Sequence, residues 1–338
     1  MTAAQPRPPR HELGTTGLVA SPIGLGLAAL GRPGYINLGH GDDLEGDRSV
    51  AAMESRAHAV LDAAWAGGVR SFDAARSYGR AEAFLASWLA RRGVAPGEAL
   101  VSSKWGYTYT AGWQVEAEAH EVKEHSLAAL RRQWPESQAL LGSHLDLYQI
   151  HSVTPDSPVL DDAALLRELA ALKRGGVRIG LSTSGPRQGE VIERAIDVLV
   201  DGERLFDAVQ VSWNLLEPSA GTALATARDA GMGVIVKEAL ANGRLTDRNQ
   251  DTDFAAQRAL LAREAERRGA TVDALALAAV LAQPWADITL SGATTVAQLL
   301  ANLRALETPW DAEAAAALSA LAEPAKAYWR RRAALPWN

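Results

Sequence analysis

The sequence contains no cysteine among its 338 residues. Disulfide bonds, iron–sulfur clusters and catalysis by a thiol are therefore excluded, and the composition fits a cytoplasmic protein. No run of 18 or more apolar residues is present, so the sequence predicts no membrane span. The net charge is −6, which disfavours a nucleic acid partner because phosphates attract a basic surface. We expect a monomer or a small homo-oligomer whose partner is a small molecule.

The composition favours one large folded domain. Apolar residues make up 48% of the chain and charged residues 22%, values typical of globular proteins with a large core. Residues 1–10 are polar, rich in proline and without the apolar region of a signal peptide, so they predict a short disordered arm. Because no linker interrupts the remainder, residues 11–338 are expected to form a single domain.

Eight short apolar runs alternate with longer, alanine-rich amphipathic stretches. The runs predict β-strands and read PIGLGL, VRSFDAA, ALVSSKWG, DLYQIHS, VRIGLSTS, DAVQVSWN, GVIVKEA and DITLSGA. The stretches predict helices over residues 49–67, 80–93, 116–133, 161–175, 187–200, 218–231, 254–281 (two helices) and 295–306. Eight parallel strands, each followed by a helix, close into a (β/α)8 TIM barrel of the α/β class.

Three segments fall outside this repeat. The residues from His11 onward predict an N-terminal hairpin that closes the bottom of the barrel. Residues 31–47 and 105–120 have little periodicity, and each follows a strand. They are therefore expected to be extended loops at the C-terminal face, where barrels of this kind build their functional sites.

Four polar side chains stand at or just after the ends of three successive strands. Asp73 ends one strand and Tyr78 follows five residues later, while Lys104 and His151 end the next two strands. A tyrosine hydroxyl has a pKa near ~10; a neighbouring ammonium lowers that pKa, and a carboxylate holds the ammonium in place. A histidine can orient a substrate oxygen. The four residues are therefore predicted to form a catalytic proton donor and acceptor suited to a carbonyl or an alcohol.

The same segments resemble the aldo-keto reductase family. The resemblance is carried, in order, by FDAARSYGRAE, VSSKWG, LDLYQIHS, IGLSTS and VQVSWNLLEP, and it extends from about His11 to Leu306. It implies a (β/α)8 barrel that binds NADP(H) or NAD(H) without a Rossmann fold and without a metal. It also implies a catalytic tetrad of Asp73, Tyr78, Lys104 and His151. Hydride would move between C4 of the nicotinamide and the substrate carbon while Tyr78 transfers the proton.

The resemblance also implies cofactor-binding residues at later strand ends. Gln210 and Ser182 correspond to partners of the nicotinamide carboxamide, with Thr183 where an Asn is common, and Trp213 corresponds to an aromatic residue that stacks on the nicotinamide ring. The segment KEALANGRLT resembles the loop over the pyrophosphate, although Glu238-Ala239 replace its usual Ser-Pro. The expected cofactor-binding residues are Ser182, Thr183, Gln210, Trp213, Asn214, Lys237, Gly243, Gly292, Thr294, Gln298 and Asn302.

The segment expected at the adenosine end of the cofactor carries no positive charge. NADP-preferring relatives place Lys or Arg there, whereas no basic residue lies between Leu290 and Arg304. The hypothesis is that NAD(H) is used at least as well as NADP(H).

The substrate pocket is expected to contain aromatic residues of the second long loop, namely Trp105, Tyr107, Tyr109 and Trp113. From the C-terminal tail, either Trp329 or Trp337 is a further candidate. His120 and His125 invite a metal interpretation, but their spacing of five does not match one helical face. They are predicted to lie on a solvated helix, and no metal is expected.

Three classes of function are consistent with such a barrel. The sequence favours an NAD(P)(H)-dependent oxidoreductase that interconverts an aldehyde, ketone or sugar with an alcohol. A non-catalytic protein that binds the cofactor as a ligand or redox sensor is the alternative, although binding alone does not require Tyr78 and Lys104 together. A metal-dependent hydrolase would need clustered ligands at the strand ends, where only His151 of the seven histidines lies.

Overall fold

Eight parallel strands form a closed barrel in the computed structural model, which describes residues 9–44 and 46–338. We number only the barrel strands: β1 (Ile23–Gly26), β2 (Ser71–Asp73), β3 (Leu100–Trp105), β4 (Leu145–Val153), β5 (Arg178–Thr183), β6 (Ala208–Ser212), β7 (Gly233–Lys237) and β8 (Ile288–Ser291). Neighbours pair in chain order, and β8 pairs with β1 to close the ring. The predicted α/β class, (β/α)8 architecture and eight strands are confirmed.

Helices surround the barrel and bury it from outside. They cover Val50–Ala66, Ala81–Arg92, Leu127–Leu141, Ala163–Arg174, Gln188–Ile196, Gly221–Asp229, Ala255–Arg267, Val272–Leu281 and Val296–Leu303, followed by Ala312–Leu318 and Ala325–Ala333. Several helices begin after an N-cap residue whose side chain accepts a hydrogen bond from a backbone N–H of the first turn, namely Ser49, Asp162 and Thr295. Within the described residues, no helix is both long and apolar enough to cross a membrane.

The predicted N-terminal hairpin is present and closes the bottom of the barrel. His11–Glu12 pair antiparallel with Val19–Ala20, and the turn between them buries Leu13 completely. Leu13 belongs to a cluster with Leu100, Ile235 and other residues at the N-terminal ends of the strands. Of the predicted disordered arm, residues 1–8 lie outside the described residues.

The helix predicted over residues 116–133 is wrong in its first half. Glu121–Lys123 instead form a strand that pairs antiparallel with Tyr107–Tyr109, and the helix begins only at Leu127. The Ser126 hydroxyl accepts from the Ala129 N–H and fixes that start. The helix predicted to reach residue 200 ends at Ile196 for a similar reason, since the next residues form a small hairpin.

The first long loop, the loop after β7 and the C-terminal residues meet above the C-terminal face of the barrel. Residues 31–47 contain the short helix His40–Asp43, and the Leu38 N–H donates to the Asn242 carbonyl in the loop after β7 at 3.0 Å. The C-terminal Asn338 exchanges backbone hydrogen bonds with Tyr35 at 3.1 and 3.2 Å. Three distant parts of the chain therefore form the rim of one cavity.

Candidate active site

A cavity of about 470 Å³ lies at the C-terminal ends of the barrel strands. Its lining includes Asp73 from β2, His151 from β4, Gln210 from β6 and Lys237 from β7, together with Tyr78. Because parallel strands all end on one side of a barrel, side chains far apart in the sequence meet here.

Asp73 and Lys104 form a buried ion pair beneath the cavity. The Lys104 ammonium donates to Asp73 Oδ2 and, at 2.9 Å, to the Ala74 carbonyl. The other Asp73 oxygen accepts from Ser102 Oγ at 2.7 Å and from Gln210 Nε2 at 3.0 Å. Burial lowers the pKa of Lys104, and the Asp73 charge opposes that shift. The carboxylate therefore holds the ammonium in position.

Tyr78 lies over this pair with its hydroxyl toward His151. The Lys104 Nζ atom is 4.8 Å from the centre of the Tyr78 ring, and the hydroxyl is 3.4 Å from His151 Nε2. We expected Lys104 to lower the pKa of Tyr78, but burial and then Asp73 raise that pKa well above its usual value. The hydroxyl is therefore protonated at neutral pH, the state of a proton donor.

His151 is a neutral imidazole at the same place. Burial lowers the pKa of His151 well below its usual value, and Lys104, Lys237 and Arg32 add to the effect. Besides the Tyr78 hydroxyl, the ring approaches Ser77 Oγ, 3.4 Å from Nδ1. A neutral ring has one N–H available for a substrate oxygen.

Most of the residues expected to bind a cofactor line the cavity. They are Gln210, Lys237, Gly243, Gly292, Thr294, Gln298 and Asn302. Among the described residues, Gln210 Oε1 and Asn242 Oδ1 are buried oxygens without a hydrogen-bond partner. A buried acceptor without a donor is costly, and the carboxamide and ribose groups of a nicotinamide cofactor offer the missing donors. The cavity therefore fits such a cofactor.

The other four residues predicted to bind the cofactor have structural contacts instead. Ser182 and Thr183 are completely buried, and Ser182 Oγ accepts from the Ser152 N–H at 2.7 Å. Asn214 Nδ2 donates to the Glu238 carbonyl at 2.9 Å. The Trp213 ring packs edge-on against Trp285, with centroids 5.4 Å apart, and its stacking on a nicotinamide ring stays a prediction. None of the four lines the described cavity.

The aromatic residues of the second long loop, predicted to form the substrate pocket, do not line the described cavity. Trp105 is fully buried, and Trp113 turns away to donate to the Arg48 carbonyl at 2.7 Å. Tyr107 packs beside His151, 5.0 Å between ring centroids, without lining the described cavity. From the C-terminal tail, Trp337 lines the cavity as one of the two candidates.

His120 and His125 flank the short strand Glu121–Lys123 rather than lying on a helix. His120 stacks on Trp337 with centroids 3.7 Å apart, and His125 Nε2 is 2.7 Å from the His151 carbonyl. Within the part of the chain that the structure describes, no group of three or more His, Cys, Asp or Glu side chains is placed to hold a metal ion.

Besides Lys237, the cavity contains several charged residues that were not anticipated from the sequence. Although burial opposes it, Arg332 and Lys237 lower the pKa of Glu238 to about 2. Burial in turn lowers the pKa of Lys237 to about 8. Asp43, from the first long loop, accepts from Thr294 Oγ1 at 2.9 Å and Gln298 Nε2 at 2.8 Å. Arg32 and Glu121 add a second ion pair close to Tyr78, at 3.0 Å.

The chain is similar to known proteins in sequence and in fold. Over 167 residues the chain is 29% identical to a pyridoxal 4-dehydrogenase of Microbacterium luteolum, an alignment that covers 43% of each protein. An aldo-keto reductase from Bacillus halodurans, solved in its holo form, superposes with a TM-score of 0.71 at 23% identity, over 94% of this chain and 97% of that one. For an aldo-keto reductase structure from Pseudomonas aeruginosa the TM-score is 0.62 at 26% identity, over 88% and 94%.

The family assignment rests on a match that covers most of the chain. The sequence profile of the aldo/keto reductase family matches residues 22–323, which include every barrel strand. Members of this family are oxidoreductases of carbonyl and alcohol groups. The chain belongs to the aldo/keto reductase family.

Proposed function

We propose that this protein is an NAD(P)(H)-dependent oxidoreductase that interconverts a carbonyl compound and an alcohol, with Tyr78 as the proton donor. The observation that carries the proposal is the position of the Tyr78 hydroxyl, 3.4 Å from His151 Nε2 and above the Lys104–Asp73 pair, in the cavity that Gln210 also lines. When bound, the nicotinamide supplies hydride to the substrate carbon or accepts hydride from it.

The chain's own residues donate and accept the proton. In the reducing direction Tyr78 donates its proton to the substrate oxygen, and the phenolate that forms lies beside the Lys104 ammonium. Asp73 keeps that ammonium in place, and the neutral His151 ring orients the substrate oxygen. Oxidation reverses these steps, with the phenolate as the proton acceptor.

Gln210 would hold the nicotinamide end of the cofactor. Its Nε2 donates to Asp73, so its orientation is fixed and its Oε1 is left to accept from the carboxamide N–H. Thr294, Gln298 and Asn302 would hold the adenosine end, where Asp43 accepts from Thr294 and Gln298 and pairs with Arg248, which lines the same cavity. A 2′-phosphate would compete with the Asp43 carboxylate for that cation. NAD(H) would therefore be used at least as well as NADP(H).

Absorbance at 340 nm with NADH or NADPH and a panel of aldehydes tests the proposal. Pyridoxal belongs in the panel because the Microbacterium relative carries that substrate in its name. Turnover by the wild type that falls by at least about a hundredfold in Tyr78→Phe supports the proposal. Tight cofactor binding without turnover would favour a non-catalytic binding protein. A hundredfold preference for NADPH would contradict the cofactor assignment alone.

A further inference from the structure

Arg32 is a buried cation in the cavity beside Tyr78. The residue is 3% exposed, and its guanidinium carbon lies 5.2 Å from the centre of the Tyr78 ring. Tyr35 and Trp337 approach the same guanidinium at 5.1 and 4.9 Å. Three aromatic faces at these distances stabilise a cation and hold it in one place. The charge of Arg32 is therefore fixed next to the proposed proton donor.

The hydrogen bonds of Arg32 leave one edge of the guanidinium free. Nη1 donates to the Ser77 carbonyl at 3.1 Å and to Glu121 Oε2 at 3.0 Å. Within the described residues, neither Nε nor Nη2 has a hydrogen-bond partner. These two nitrogens form the edge of the planar group that pairs with both oxygens of a carboxylate. A buried donor without an acceptor is costly, so the free edge points to a ligand.

The charges around Tyr78 also favour an anion. Three cation–carboxylate pairs surround the site: Lys104–Asp73, Arg332–Glu238 and Arg32–Glu121. Lys237 is a fourth cation, whose Nζ donates to Ser212 Oγ at 2.6 Å and lies 4.0 Å from Glu238 Oε2. Among the residues that the structure describes around Tyr78, four cations face three carboxylates, an excess of one positive charge.

We propose that the free edge of Arg32 binds a carboxylate carried by the substrate, so that the preferred substrates are aldehydes or ketones bearing an acid group. This inference rests on the proposed reaction at Tyr78. Because the guanidinium lies 5.2 Å from the Tyr78 ring, the acid group and the reacting carbonyl are separated by only a few atoms. A carboxylate accepts charge-assisted hydrogen bonds from both Nε and Nη2, whereas a neutral substrate offers weaker acceptors.

Variants of Glu121 distinguish a role of Arg32 in substrate binding from a purely structural role. Among the described residues, it is the one carboxylate that the guanidinium already contacts, and it lines the same cavity. If Arg32 binds substrate, removing the Glu121 charge strengthens the attraction for a second carboxylate. If the pair only supports the loop, losing either partner has the same harmful effect on every substrate.

The test compares 2-, 3- and 4-carboxybenzaldehyde with the matching methyl esters, which have nearly the same size without the charge. We expect the wild type to prefer at least one acid over its ester by about 10- to 100-fold in kcat/KM, the range of a charged hydrogen-bonded pair. Arg32→Met is expected to bring the ratio of kcat/KM for acid over ester close to one, and Glu121→Gln is expected to increase it. Arg32→Lys, which keeps the charge but loses the planar edge, is expected to lower the ratio. The exposed Arg330→Met is the matched control.

Three results would overturn the inference. The first is equal turnover of acids and esters by the wild type, which leaves the proposed reaction standing. The second is an equal fall for both series in Arg32→Met, Arg32→Lys and Glu121→Gln, which indicates a structural role. The third is no turnover of either series with NADH or NADPH, which contradicts the proposed function as well.

Discussion

Replacing Lys104 with Met removes the cation from a buried ion pair. The Lys104 side chain is 1% exposed and that of Asp73 is 5% exposed, so water cannot take the place of the ammonium. Breaking a buried pair by removing one partner costs about 3–5 kcal/mol of unfolding free energy. Asp73 keeps the bonds from Ser102 and Gln210, which puts the expected loss near the lower value, about 3 kcal/mol.

This loss is large enough for a thermal measurement. For 338 residues the entropy of unfolding is roughly 0.7 kcal/mol per degree, so the melting temperature is expected to fall by about 4 °C. Turnover is expected to fall as well, because the phenolate formed at Tyr78 loses its neighbouring ammonium.

The double variant Asp73→Asn with Lys104→Met separates the two effects. It has no buried charge at this position, and the new amide oxygen still accepts from Ser102. The melting temperature is expected to recover most of the loss, while activity stays low. Differential scanning fluorimetry and absorbance at 340 nm give both values. A double variant as unstable as Lys104→Met would contradict the cost of an unpaired Asp73 carboxylate. A single variant as stable and active as the wild type would contradict both roles of the Lys104 ammonium.

Three further predictions concern the cofactor. Gln210→Ala is expected to weaken NADH binding about tenfold in a fluorescence titration, because the carboxamide loses its acceptor; unchanged binding would contradict this. Burial lowers the pKa of Lys237 to about 8, so the group is charged at pH 7 and mostly neutral at pH 9. Since the ammonium disfavours the cationic ring of NAD⁺, the ratio of the Kd of NAD⁺ to that of NADH should fall roughly fivefold between these pH values, but stay constant in Lys237→Met. Asp43→Asn is expected to raise NADPH affinity roughly fivefold without a matching gain for NADH, and equal gains would count against a role at the 2′-position.

The barrel was predictable because its signals are local. Apolar runs buried on both faces, followed by amphipathic stretches that end near glycine, indicate the βα repeat. The segment around Glu121–Lys123 gave no such signal, because it becomes a strand only by pairing with Tyr107–Tyr109. A stretch rich in alanine and glutamate before a true helix resembles the start of that helix until the partner strand is known.

The candidate site was predictable for those residues whose position at the end of a strand is enough to place them in it. Asp73, Lys104, His151 and Gln210 stand at or near strand ends with side chains toward the interior. Trp105 and Trp213 show the limit of that rule, since side chains alternate along a strand and not every residue near a strand end faces the cavity. Trp105 directly follows the inward-facing Lys104, and Trp213 directly follows Ser212, whose hydroxyl contacts Lys237. Both rings therefore point away from the cavity.

The remaining site residues come from distant points of the sequence outside the barrel strands. Arg32 and Asp43 lie in the first long loop, and Arg332 and Trp337 lie near the C-terminus. They meet only after the barrel has closed and the loops have packed over it. No spacing within the sequence indicates that Arg32 faces Tyr78, and only the folded chain brings the two together.

Transfer of deuterium from the cofactor to the product would reveal the proposed hydride transfer directly. NADH deuterated at both C4 positions would be incubated with the wild type and a carboxybenzaldehyde or another aldehyde that is turned over, and the alcohol analysed by NMR and mass spectrometry. We expect one deuterium on the carbinol carbon, with the hydroxyl proton exchanging with solvent, and a loss of this product in Tyr78→Phe. An alcohol without deuterium, or consumption of NADH without alcohol, would contradict the proposed hydride transfer.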